Sequence, residues 1–95
     1  MSTLDDYLSP RQRQQLAQAR AFMSRLTSVE QQVIRLAAEG LGDDEIAHQA
    51  ICSTYTIRRH IENITRKSQH FYGRRLAFRR QLVTHLVPYI FLQMA

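Results

Sequence analysis

The stretch from Ser53 to Lys67 reads STYTIRRHIENITRK and holds the densest set of side chains able to recognise another molecule. Arg58, Arg59, Arg66 and Lys67 supply the cations. The guanidinium fork matches phosphate oxygens and the O6/N7 edge of guanine, where a bidentate contact is worth about 1 to 3 kcal/mol. Glu62 has two uses: it accepts from a cytosine amino group, or it pairs with Arg58 or Arg66 one turn away, and pairing is the favoured reading. The histidines His48, His60, His70 and His85 share no metal-ligand spacing, and His60 reads as a half-buried packing residue. Cys52 reads by default as a small buried hydrophobe, with a redox-tuned thiol near a helix start as the minor alternative. An enzyme fits poorly. There is no phosphate-cradling glycine loop and no nucleophile beside a base in a recognisable motif, and no cofactor is expected.

Charge supports a polyanionic partner. The 95 residues carry 13 basic and 8 acidic groups, a net charge of +5. Residues 1–50 hold five Arg against seven acids, whereas residues 51–95 hold eight cations against Glu62 alone, so that half carries +7. Composition is otherwise that of a foldable soluble chain, 44% hydrophobic and 22% charged. One cysteine excludes an internal disulfide and a cysteine-built zinc site, favouring a reducing, cytoplasmic setting. The longest apolar run, Leu86 to Leu92, is interrupted by Pro88 and falls short of the roughly 18 residues that cross a bilayer, so no membrane partner is expected.

The elements that must position these residues are helices. After a lead-in over 1–8, Ser9-Pro10 is a cap followed by proline at the first helical position. Leu16, Ala19, Phe22 or Met23, and Leu26 then form an apolar stripe on a helix over 10–25. Thr27-Ser28-Val29-Glu30 reads as a capping box. The helix it opens runs over 28–39, buries Val29, Val33, Leu36 and Ala37 with Ile34 beside them, and is ended by Gly40. Asp43 is placed to cap a short helix over 44–50 that buries Ile46, Ala47 and Ala50. Ser53 caps a fourth helix to Ser68 on which Ile57, Ile61 and Ile64 face inward, so positions 58, 59 and 62 face out. Residues 69–73 read as a loop. A fifth helix over 74–87 has two apolar edges, Leu76/Val83/Leu86 and Phe78/Leu82/Tyr89, and Pro88 should kink or end it.

Two short helices joined by a brief turn, the second capped by Ser and lined with Arg, is the layout of a helix-turn-helix. The run Leu26-Thr27, Glu30, Val33, Leu36, Gly40, Glu45-Ile46-Ala47, Ser53, Thr56-Ile57-Arg58, His60, Asn63-Ile64 and Lys67 resembles the LuxR/GerE-type output domain of bacterial transcription regulators. The resemblance implies a tetrahelical helix-turn-helix within a small all-α bundle, with an extra N-terminal helix and an extended C-terminal one. It implies a recognition helix over about 54–68 in the major groove of double-stranded DNA. Arg58, Arg59 and Glu62 would then face base edges, Ser53, Tyr55 and Thr56 would lie near the backbone, and Arg66 and Lys67 would hold the flanking strand. Thr54 and Asn63 complete that set.

The family's Leu-Gly-Val-like turn after the Lys is replaced here by Ser68-Gln69-His70-Phe71-Tyr72-Gly73-Arg74. The expected organisation is an N-terminal tail and helix over 1–25 packing on the core or on a dimer partner, a DNA-binding core over 26–68, and a dimerising segment over 69–95. Dimerisation is assigned to Leu76, Phe78, Leu82, Val83, Leu86, Tyr89 and Ile90; the competing arrangement packs the first and fifth helices on each other within one chain. The expected whole is a homodimeric regulator standing alone, without a receiver or autoinducer module. Its rival is a protein-interaction module on the same scaffold, for instance one that binds RNA polymerase.

Overall fold

A computed structural model of the chain describes residues 7–94. Ser9 opens helix α1 (Pro10–Met23) with its Oγ accepting from the Gln12 amide at 3.1 Å, while the Gln12 side chain accepts from the Ser9 amide at 2.8 Å. The helix stops two residues short of expectation. Gln31 secures this end, its side-chain amide donating to Met23 O of the last turn at 2.9 Å and to Leu26 O beyond the helix at 3.3 Å. The lead-in expected over 1–8 lies outside the described residues as far as residue 6.

Helix α2 (Ser28–Ala38) starts at the expected box: Glu30 N–H donates to Thr27 Oγ1 at 3.1 Å, and Thr27 N–H donates to Glu30 Oε1 at 2.8 Å. Its buried line is rotated by one position from the expected stripe. Glu30, Val33, Ile34 and Ala37 are buried, Leu36 is half-buried and Val29 is 44% exposed. A carboxylate can take that inner place because Lys67 and the Thr27 amide satisfy it. Gly40, at φ 97°, closes the helix as its amide bonds Ala37 O and the Leu41 amide bonds Leu36 O.

Helix α3 (Asp43–Ala50) is capped by Gly42 rather than by Asp43. Glu45 takes the capping role, accepting from the Gly42 amide at 3.0 Å, and Asp43 moves into the first turn with its carboxylate free for other partners. Ile46 and Ala47 are buried and Ala50 is half-buried. Helix α4 (Thr54–Tyr72) begins where expected, with Ser53 Oγ accepting from the Thr56 amide at 3.1 Å, but runs four residues past Ser68. The loop expected over 69–73 is therefore helix up to its terminal Gly73, at φ 72°. The extension carries Phe71 and Tyr72 onto Phe22, both ring pairs 5.5 Å apart, and stacks them edge-on at 4.8 Å.

The C-terminal part departs most from expectation. Instead of a helix starting at Arg74, an extended connection leads to a π-helical turn over Phe78–Val83, which continues into α5 (Thr84–Met94). Ala77 starts the turn, its amide donating to Gln81 Oε1 at 2.7 Å. Pro88 lies inside α5 and does not end it. Its missing donor is offset by burial on both sides, since Leu86 and Ile90 are enclosed at 0% and 3% exposure.

That burial takes in most of the residues to which dimerisation was assigned. Leu76, Leu82, Val83, Leu86 and Ile90 are all within the chain's own core, and Phe78 and Tyr89 are half-buried against it. Helix α1 packs on α5, so the two apolar edges are consumed internally. Residues of α1, of the helix-turn-helix and of the C-terminal part share this one core. Among the described residues there is no strand.

Candidate nucleic-acid interface

Helix α4 is amphipathic in the sense the site needs. Ile57 and Ile64 are fully buried and Ile61 half-buried, which turns Tyr55, Arg58, Arg59, Glu62 and Arg66 outward as one exposed strip. At its start the hydroxyls are already engaged. Ser53 and Thr56 share a 2.9 Å hydrogen bond, and Thr54 Oγ1 donates to Asp44 Oδ1 at 2.7 Å, tying α4 to α3 across the turn.

Two arginines on the strip are held by neighbours while their forks stay accessible. Arg59 lies over the Tyr55 ring at 5.9 Å and reaches the phenol oxygen at 3.4 Å, a long contact that stiffens both side chains. Arg58 turns its Nε toward Asp43 at 3.7 Å, yet its side chain remains 67% exposed. The pairing of Glu62 with Arg58 or Arg66 is not what forms. Arg58 is drawn instead to Asp43, and among the described residues Glu62 has no ion pair, which leaves its carboxylate at the surface as an acceptor.

Lys67 and Asn63 sit differently from the strip. Asn63 is half-buried, and Lys67 lies beside it in a recess with Thr27, His60 and His70. The Lys67 ammonium donates to Glu30 Oε1 at 2.6 Å, from a side chain 40% exposed to one 4% exposed. Burial by itself pushes the Glu30 carboxyl up; the Lys67 hydrogen bond, the Thr27 amide, the Lys67 charge and the Thr27 hydroxyl together bring it below its ordinary value. His60 is half-buried, as its packing role requires.

Cys52 is exposed, correcting the expectation of a small buried hydrophobe. The turn before α4 accounts for it. Ile51 adopts a left-handed conformation at φ 54° and stands 92% exposed, so the chain passes outside the core and Cys52 is fixed through its amide on Ala47 O at 3.0 Å.

Sequence reasoning missed the Asp43 hub. Its carboxylate stands between Arg58 and Arg79 of the π-helical turn, the latter at 2.7 Å, a charge contact without hydrogen-bond alignment. Arg79 also donates to Leu41 O at 3.1 Å. The acids at 43–45 carry a signal, too many for one cap, but Arg79 is 36 residues from Asp43 and no local pattern joins them. A second omission is the aromatic cluster, completed by Arg25 over Phe71 at 4.9 Å and His85 edge-on to Tyr72 at 5.4 Å; burial raises the Tyr72 phenol.

Among the described residues no group of three His, Cys, Asp or Glu is placed to hold a metal ion, and no helix is long and apolar enough to cross a membrane. Comparison with protein families matches residues 24–69 to the family described as bacterial regulatory proteins, luxR family. Neither the curated proteins nor the solved structures contain a match. The matched stretch contains α2, α3 and most of α4, the three helices that present the arginine strip. Through residues 24–69 the chain carries a helix-turn-helix segment similar to that of the luxR family of bacterial regulatory proteins, a family of transcription regulators that bind DNA.

Proposed function

We propose that the chain is a sequence-specific reader of double-stranded DNA, acting in the cytoplasm without an enzymatic step, with α4 as the recognition helix in the major groove. The observation that carries this reading is the exposed strip Tyr55, Arg58, Arg59, Glu62 and Arg66 on the side of α4 opposite its buried isoleucines. Arg58 and Arg59 present forks that fit guanine, and Glu62, without an ion-pair partner among the described residues, is an acceptor that fits a cytosine amino group. Arg66 reaches the flanking phosphates. Ser53, Thr54 and Thr56 set the entry of α4 through their mutual hydrogen bonds, and Tyr55 steadies Arg59. Asn63 and Lys67 lie at the border of the strip, Lys67 chiefly as the partner of Glu30.

A homodimer remains part of this reading, through a smaller surface than the apolar tail suggested. On α5 the apolar groups still reachable include Phe91, 51% exposed, with half-buried Val87, Tyr89 and Leu92. Sedimentation at micromolar concentration tests that part, and a monomer removes it.

The test of the reading is selection of duplexes from a random library, followed by anisotropy titration of the selected site and of random duplex. Arg59→Gln is expected to weaken the selected site by roughly 5 to 150-fold, the loss of one bidentate base contact, with little change on random duplex. No enrichment by the wild type, or equal loss on both duplexes, refutes it. The adaptor alternative predicts weak, salt-labile, sequence-blind binding.

A further inference from the structure

The DNA reading uses four of the eight cations in residues 51–95 and leaves Arg74, Arg75, Arg79 and Arg80 without a role. All four follow α4, outside the family-matched residues 24–69. Arg74, Arg75 and Arg80 are exposed and make no ion pair among the described residues. Two pairs of adjacent arginines repel one another within seven residues, and Glu62 is the one acid in that half of the chain. Arg79 is met by Asp43, and the charges of Arg74, Arg75 and Arg80 are left for a polyanion to offset.

Its place in the fold is specific. Gly73 ends α4, yet Ala77, Phe78, Arg79 and Arg80 line an open cleft whose other wall is Arg58, Ile61 and Glu62. The connection therefore runs back beside α4, from its end toward its second turn. Arg79 pins it there, through Asp43 and Leu41 O, and Asp43 is the same carboxylate that Arg58 approaches. Asp43 and Glu62 are the acids that face the cleft.

We propose that residues 74–80 form a second basic ledge which grips the phosphate backbone bordering the groove that α4 enters. Arg80, beside Arg58, contacts the nearer strand, Arg74 and Arg75 extend the contact along it, and Arg79 is the positioning residue that holds the ledge to α3 and α4. The occupant is a duplex phosphate backbone because the ledge continues the base-reading strip and its exposed side chains are guanidinium forks, Leu76 between them being buried and Ala77 and Phe78 half-buried. The proposal rests on the DNA reading above.

The experiment is anisotropy titration of a random-sequence 30-base-pair duplex from 50 to 200 mM salt, which needs no knowledge of the target site. Arg74→Gln/Arg75→Gln/Arg80→Gln is expected to flatten the slope of log affinity against log salt by about 2.7, near 0.9 per phosphate lost. Over that salt range the variant then loses roughly 40-fold less affinity than the wild type. Arg80→Gln alone should flatten it by about one unit. A control of equal charge, Arg11→Gln/Arg20→Gln/Arg35→Gln, should leave the slope unchanged, and thermal melts establish that each variant is folded. An unchanged slope in the triple variant, or an equal change in the control, overturns the ledge while leaving the reading of α4 in place. A wild-type chain that binds no duplex overturns both.

Discussion

Lys67 was expected to hold a phosphate, and the structure places it on Glu30, so replacing it separates the two roles. The Nζ to Oε1 distance is 2.6 Å and the carboxylate is almost fully enclosed. A charge-assisted hydrogen bond contributes about 1.5 to 3 kcal/mol, and the partial exposure of Lys67 screens the pair toward the lower end. Lys67→Met keeps the aliphatic stem and strands a buried carboxylate with the Thr27 amide and hydroxyl as its remaining partners, so a loss of about 2 kcal/mol is expected. Glu30→Gln preserves the capping box, because a glutamine oxygen still accepts from the Thr27 amide, and should cost about 1 kcal/mol. The double variant should be no less stable than Lys67→Met, with a coupling of about 1 kcal/mol. Urea unfolding followed by circular dichroism reads all three from the midpoint at constant slope.

The pH dependence gives an independent sign. The folded Glu30 carboxyl lies below its ordinary value of 4.5, so its contribution is complete above that value. It is lost as pH falls through the folded value, where the unfolded chain already holds the proton. Wild type and Glu30→Gln should therefore differ at neutral pH and converge in acid. Lys67→Met within about 0.5 kcal/mol of wild type, or strict additivity in the double variant, refutes the structural role. A salt slope for DNA binding that is unchanged in folded Lys67→Met confines Lys67 to that role; a slope flatter by about one unit adds the phosphate contact.

Ile51 is a β-branched residue in a left-handed conformation with 92% exposure, so Ile51→Gly should relieve about 1 kcal/mol of strain and raise the melting temperature by roughly 4 to 8 °C; a lower melting temperature contradicts the turn geometry. Leu86→Ala should cost about 2 to 5 kcal/mol and Phe91→Ala under about 1 kcal/mol, measured by the same urea titration, because the first is enclosed and the second is half in solvent. Comparable losses would mean that α5 is packed the other way round. Cys52 in the native protein should react stoichiometrically with a thiol reagent, and inertness until unfolding would restore the buried reading.

What the sequence made legible was local. The caps at Ser9, Thr27 and Ser53 and the stop at Gly40 each depend on residues within four positions, and they appear where reading placed them. The outward set on α4 follows from the spacing of Ile57, Ile61 and Ile64. What failed depended on contacts across the fold. Helix α4 outruns Ser68 because Phe22, 49 residues before Phe71, offers an aromatic surface. Glu30 displaces Val29 from the buried line because Lys67 is there to meet it.

The second apolar edge of the last helix shows the same limit in its effect on function. Two apolar edges implied a partner only if the first helix had its own place to bury. Helix α1 buries its apolar side largely against α5: Ala19, Phe22 and Met23 are enclosed at 2%, 0% and 2%, in one cluster with Leu82, Leu86 and Ile90, with Phe71 and Tyr72 of α4 closing on Phe22. The added ends therefore satisfy much of each other's apolar surface, and what the C-terminal segment still offers is the charge of residues 74–80 and the small apolar patch around Phe91. Asp43 makes that possible, since one carboxylate stands in charge contact with both Arg58, proposed to read bases, and Arg79, proposed to anchor the ledge. Asp43→Asn should accordingly loosen both, weakening the selected site more than random duplex through Arg58 and flattening the salt slope through Arg79. An effect on only one of the two measurements would show that Asp43 does not couple them.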